Sequence, residues 1–241
     1  MTKTELNIIL SNFDVNTSKY SYEIINTGYI NDSYYIIENG ERKYVLQKIN
    51  TNVFKNIDAI KNNISLSINN LKDLGYHKIK FINPISQELF YNSGKEYWRL
   101  MEYVKDSYTK DNAENTNDAF EAGRILSLFH ILLKDEDLEK YLYTLDNFHN
   151  LSYRIKEFEE SLDNSDSNLK EECKEEINFS IEMFDRLIVF YNSSLPERIC
   201  HNDSKLNNIL FSSSSKGLCM IDLDTIMKGY FHYDFGDAIR T

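Results

Sequence analysis

Apolar positions change their spacing along the chain, and the changes mark its elements. Over residues 4–13 they recur at helical intervals and predict a short helix. Residues 20–26 alternate, and residues 33–38 are rich in Tyr and Ile. Residues 42–49 follow the turn pair Asn39-Gly40. These three runs read as strands, the last two joined by a tight hairpin. Residues 57–74 return to helical spacing and stop at Gly75, a residue suited to a helix C-terminus. Residues 87–91 and 96–104 then flank Asn92-Ser93-Gly94 and predict a second hairpin.

The second half is mostly helical up to Pro196. Helical spacing covers residues 117–133, 148–162 and 169–191, with a polar linker over 163–167 between the last two. The acidic run at 171–176 reads as a solvated helix face. Beyond Pro196, short β segments at 209–211 and 218–221 alternate with charged loops. The expected fold is α+β with two lobes. Residues 1–104 form a five-stranded antiparallel sheet with one helix, and residues 105–241 form a mostly helical lobe.

Composition narrows the class. A chain of 241 residues buries about 70–75% of its unfolded surface, so its core needs no covalent staple. With 41% hydrophobic and 27% charged residues, disordered and fibrous classes are excluded. The net charge of −11 argues against a nucleic-acid partner and against an anionic membrane surface. The three cysteines, Cys173, Cys200 and Cys219, are odd in number and form no CxxC pair. That pattern suits a reducing compartment and argues against zinc. No signal peptide or membrane-length apolar run is visible, so a cytoplasmic location is expected.

Candidate chemistry concentrates between residues 201 and 224. The run His201-Asn202-Asp203-Ser204-Lys205-Leu206-Asn207-Asn208 leads into Ile209-Leu210-Phe211, and Ile221-Asp222-Leu223-Asp224 closes a second apolar strand. Phosphoryl transfer needs a carboxylate to receive or orient the acceptor proton. It also needs a carboxamide oxygen and a second carboxylate to hold Mg²⁺ against nucleotide phosphates. Asp203 fits the first role, and Asn208 and Asp222 fit the second. His201 reads as a brace of the loop. Asp234-Phe235-Gly236 spells a familiar kinase metal motif, but it lies a loop beyond Asp222, so Asp234 is expected to be a structural carboxylate.

This pattern resembles the aminoglycoside phosphotransferase and choline kinase type of small-molecule kinases. Within that group the quoted motifs, with Tyr233-Asp-Phe-Gly-Asp-Ala-Ile-Arg240, Gly28-Tyr-Ile-Asn-Asp-Ser-Tyr and Tyr44-Val-Leu-Gln-Lys-Ile-Asn50, resemble those of N-acetylhexosamine 1-kinase. The likeness runs from about residue 20 to the last residue; Gly123 and His130 also sit as they do in the wider family. It implies a protein-kinase-like fold, ATP and Mg²⁺ as cofactors, and a small sugar acceptor, most simply an N-acetylhexosamine phosphorylated at its anomeric hydroxyl. An aminoglycoside acceptor and a non-catalytic nucleotide-binding remnant are the alternatives. Lys205 would stabilise the transferring phosphate or orient Asp203. Gly28, Asn31 and Ser33 would form the turn over the phosphates, with Tyr29 standing where the family often has His.

A strand lysine in this fold pairs with the phosphates. Only one of Gln47 and Lys48 can face the cleft, because strands alternate faces, and Lys48 is the expected one. The helix over 57–74 carries no Glu to pair with it, which leaves Asn62 or Asn63 to orient the lysine. Met101 would border the adenine, and the backbone of Glu102 and Val104 would read its edge. The family continues past the Asp-Phe-Gly-Asp motif, so the resemblance implies a chain truncated at its C-terminus. Its acceptor pocket would lie partly beyond Thr241, and uncovered apolar surface on the second-lobe helices would favour self-association.

Overall fold

Helix α1 (Lys3–Leu10) opens on a reciprocal cap. Thr2 Oγ1 accepts from the Glu5 N–H at 3.2 Å, and Glu5 accepts from the Thr2 N–H at 2.6 Å. The computed structural model describes residues 1–15, 20–26, 28, 30–72, 75–191 and 195–240. Tyr29 and Thr241 lie outside them. The strands that follow are β1 (Tyr20–Ile25), β2 (Asp32–Glu38) and β3 (Glu41–Ile49). Asn39 (φ 53°) and Gly40 (φ 84°) both adopt the left-handed turn that the β2–β3 hairpin needs. Helix α2 (Ile57–Ser67) is capped by Asn56 and ends well before Gly75. Then come β4 (Phe81–Ile82), β5 (Tyr91–Asn92) and β6 (Tyr97–Glu102).

Among the described residues these strands form an antiparallel sheet of six, in the order β1-β2-β3-β6-β4 with β5 also on β6. The expectation was five. The extra strand, β4, has only two residues, too few to show a period. The strand expected over 87–91 shrinks to β5, because Gln87 closes a turn on Pro84 with φ 61°. Both faces of the sheet are covered. Leu46, Trp98 and Leu100 pack with Leu6, Ile9 and Leu10 of α1. Ile49 joins Ile57, Ile60 and Ile64 of α2 in a second core, which continues through Phe129, Ile199, Leu206 and Leu223.

The chain continues through β7 (Ser107–Tyr108), α3 (Thr116–Leu132), α4 (Leu151–Asn164), α5 (Ser167–Glu172) and α6 (Lys174–Tyr191). The last stretch holds β8 (Glu197–Cys200), β9 (Ile209–Ser212), β10 (Gly217–Met220), β11 (Met227–Tyr230) and α7 (Phe231–Ile239). Two small sheets result, β10-β9-β7 and β11-β8. The helix expected over 169–191 is broken at Cys173, whose N–H closes α5 on Leu169.

Contacts divide the chain into one unit of Met1–Leu145 with Arg198–Thr241 and another of Asp146–Glu197. In the second, Phe158 of α4 meets Phe184 of α6 edge to face at 5.2 Å, and no side chain of α4 or α5 is fully buried. Among the described residues no helix is long and apolar enough to cross a membrane.

Candidate active site

The loop between β8 and β9 carries the motif, and it is held from below. Asp234, fully buried in α7, accepts the N–H of His201 at 2.8 Å and of Asn202 at 2.6 Å. The ring of His130 on α3 lies 3.0 Å from the same carboxylate. Ser204 Oγ donates to the Asp234 carbonyl at 2.6 Å. Asn202 takes φ 64°, and its amide donates to the carbonyls of Cys200, Thr225 and Met227. Gly229 is needed beside it, since a Cβ there would stand 2.9 Å from Asn202 Oδ1. His201 Nε2 lies 2.9 Å from the Ile221 carbonyl and braces the loop against the end of β10. Asp234 is thus a structural carboxylate under the loop, despite its kinase-like spelling.

Above this base the reactive side chains converge. One oxygen of Asp203 accepts from Lys205 Nζ at 2.9 Å and from Asn208 Nδ2 at 2.8 Å. The Asn208 side-chain amide also donates to the Asp203 backbone carbonyl at 2.8 Å, and the Asn208 backbone carbonyl accepts the Ile221 N–H at 2.8 Å. Asn208 is therefore fixed to both Asp203 and the residue before Asp222. Asp222 itself adopts φ 58°. Its Oδ1 is buried and has no hydrogen-bond partner among the described residues. The remainder of the side chain opens onto the cavity, leaving it 36% exposed.

Burial, then the neighbouring Asp224 charge, pushes the Asp222 carboxyl up to about 6, with Arg99 opposing. A buried orphan carboxylate oxygen beside an oxygen-bearing amide is the donor set a hard cation such as Mg²⁺ takes. The residues present fit the metal.

A cavity of about 260 Å³ adjoins these groups. Gly28, Asn31 and Ser33 line it at the turn, and Met101, Glu102 and Val104 line it along and after β6. Lys205, Asn208 and Asp222 close it on the loop side. Val45, Ile79, Leu210 and Ile221 make its wall apolar, suited to a flat ring. The Glu102 N–H is already given to the Lys80 carbonyl at 2.9 Å. Among the described residues the Val104 N–H makes no hydrogen bond.

Two expectations about the roof are corrected. Lys48 is absent from the cavity wall. Its Nζ lies 2.9 Å from Asp32, 3.5 Å from Glu96 and 5.9 Å from the Trp98 ring, the residues beside and across from it on the opposite face of the sheet. Gln47 takes the inner position, donating to Ser33 Oγ at 2.9 Å. Neither Asn62 nor Asn63 orients a lysine. Asn62 bonds the Lys140 carbonyl, and Asn63 bonds the Leu142 and Ile226 carbonyls.

The cation that does reach the inner face is Arg99, which sequence reasoning missed. It stands opposite Gln47 in the β3–β6 register, bonds Gln47 Oε1 at 2.8 Å and pairs with Asp224. The available signal was its place two residues before Met101, on the same face of the strand.

The chain is similar to known proteins in sequence and in fold. A model of the phosphotransferase enzyme family matches residues 21–241. Among the solved structures that share the fold are three small-molecule phosphotransferases. A spectinomycin phosphotransferase in complex with ADP and spectinomycin is 12% identical, with a TM-score of 0.63 over 97% of this chain and 72% of that one. The GDP complex of an aminoglycoside 2′-phosphotransferase-IIIa is 14% identical, at 0.62 over 98% and 77%. A microcompartment-associated aminopropanol kinase is 16% identical, at 0.60 over 99% and 74%.

Proposed function

The chain belongs to the phosphotransferase enzyme family, and from that premise we propose that it transfers the γ-phosphoryl group of ATP to a small hydroxylated molecule. The acceptor proposed is the anomeric hydroxyl of an N-acetylhexosamine. The observation that carries the reading is that Asn208 and Asp222, whose Oδ1 accepts no hydrogen bond among the described residues, line an apolar cavity while Asn208 holds the Asp203 carboxylate at 2.8 Å.

Residues 1–104 would serve as the nucleotide lobe, and residues 105–241 would carry the catalytic loop. The adenine would lie between Val45 and Leu210 beside Met101, with the Val104 N–H facing its edge. The turn of Gly28 and Ser33 would cover the phosphates. Asp203 receives the acceptor proton, and its bond from Asn208 keeps the carboxylate oriented. Lys205, already on Asp203, neutralises charge on the transferring phosphate. Asn208 and Asp222 are the residues that would hold Mg²⁺, which when bound offsets phosphate charge.

The N-acetylhexosamine assignment is supported by the motifs at residues 28–34, 44–50 and 201–240. ADP release from ATP and Mg²⁺ tests it, measured with N-acetylglucosamine, N-acetylgalactosamine, an aminoglycoside and no acceptor. Stimulation by the N-acetylhexosamines alone is expected. Stimulation by the aminoglycoside alone would move the acceptor to that class, and no Mg²⁺-dependent nucleotide binding would remove the kinase reading.

A further inference from the structure

The strand lysine of this fold is displaced here, yet a buried cation still occupies the inner face of the sheet. Arg99 is 2% exposed and its partner Asp224 is 1% exposed. Arg99 Nε donates to Gln47, its two terminal nitrogens meet the two oxygens of Asp224, one of them at 3.2 Å, and one lies 3.6 Å from Asp222 Oδ1. The guanidinium carbon also lies over the Phe90 ring, 5.8 Å from its centroid. Asp224 in turn accepts from Asn31 Nδ2 at 2.7 Å, and Asn31 is tied to the Asn50 N–H at 2.9 Å. Gln47 continues the row to Ser33.

The turn carrying Asp222 and Asp224 is therefore anchored twice. His201 and Asn208 join it to the catalytic loop through Ile221. Arg99 and Asn31 join it to the sheet through Asp224. A bidentate guanidinium–carboxylate pair fixes distance and angle together, which a lysine cannot do.

We propose that Arg99 is a positioning residue that acts through Asp224 to set the Asp222 carboxylate against the phosphate-covering turn, in place of a strand lysine and a helix glutamate. The inference rests on the kinase reading above. Its job is to set where the metal carboxylate stands relative to Ser33 and Gly28, and Lys48 takes no part.

The test is calorimetric titration with ATP, once with Mg²⁺ and once with EDTA, on wild type, R99M, R99K, D224N and K48A, with a melting curve for each. Wild type is expected to bind more tightly with Mg²⁺. R99M and D224N are expected to lose at least about tenfold of that Mg²⁺-dependent gain, with binding in EDTA changed less. R99K is expected to restore only part of it. K48A is expected to keep all of it, within about twofold.

A purely structural role for Arg99 would lower the melting temperature and leave the Mg²⁺ gain intact, which overturns the proposal. So would loss of the gain in K48A. If R99M melts below the assay temperature, D224N, which keeps the side-chain shape, decides. A wild type with no Mg²⁺-dependent gain overturns the kinase reading and this inference together. A gain that survives both R99M and D224N overturns the inference alone.

Discussion

Asp222 and Asp234 stand twelve positions apart and carry the same carboxylate into opposite surroundings. Asp234 has no exposed surface and has its oxygens filled by the N–H groups of His201 and Asn202, with His130 alongside. Asp222 sits on a left-handed turn at the wall of a cavity, with a buried oxygen that accepts no hydrogen bond among the described residues and has Arg99 3.6 Å away. A carboxylate whose lone pairs are spent on backbone amides is a brace, because no ligand can take them without breaking the fold. A carboxylate whose buried oxygen accepts no hydrogen bond carries a cost that a bound cation offsets. The local spelling Asp-Phe-Gly belongs to the brace, so the partner count, and not the motif, separates the two.

The sharpest extension of this contrast lies one residue group away. Asp203→Asn keeps the bonds that hold the loop but removes the proton acceptor. Turnover is expected to fall by roughly 10²- to 10⁴-fold with nucleotide binding nearly unchanged, as read by steady-state kinetics and calorimetry. Equal losses of both would make Asp203 a binding residue.

Asp222→Ala is expected to weaken Mg²⁺-dependent nucleotide binding by more than about 100-fold, beyond the loss typical of an outer-shell partner. Calorimetry in Mg²⁺ and in EDTA reads it. An unchanged Mg²⁺ gain would dissolve the contrast.

The acidity of Asp222 gives a milder test. Its carboxyl titrates at about 6 in the fold, above its ordinary value of 3.8. Without metal, its contribution to stability is present below the unfolded value and is lost as pH rises through about 6. Metal needs the ionised form. The Mg²⁺-dependent affinity is therefore expected to fall by about tenfold per pH unit below this range, and the same titration in Asp222→Asn to be flat.

Asp234→Asn is expected to act mainly on folding. His201 and Asn202 donate to different oxygens of Asp234, so the amide leaves one buried N–H without an acceptor, which costs about 1–3 kcal/mol and lowers Tm by several degrees. The Mg²⁺ gain, measured below that Tm, is expected to change by less than about threefold. A larger loss with an unchanged Tm would make Asp234 part of the site.

The loop half of the candidate site was legible because its parts are local. Asp203, Lys205 and Asn208 lie within one short loop, and Asp222 ends the next hairpin, so spacing alone assembles them. The roof was not. Along Val45-Leu46-Gln47-Lys48-Ile49, α1 covers one face of the sheet, and α2 and the cavity cover the other. Apolar residues therefore fall on both faces, and alternation does not say which one Lys48 takes. Arg99 was harder still, since its meaning comes from Asp224, 125 positions away in the chain. The two-residue β4 and the break at Cys173 escaped for the simpler reason that neither spans a full period.

The most direct measurement is electron paramagnetic resonance of Mn²⁺ with a non-hydrolysable ATP analogue, on wild type, Asp222→Asn and Asp234→Asn. The account predicts a protein-bound Mn²⁺–nucleotide signal for wild type and Asp234→Asn, and none for Asp222→Asn. A bound signal that persists in Asp222→Asn and disappears in folded Asp234→Asn would contradict it.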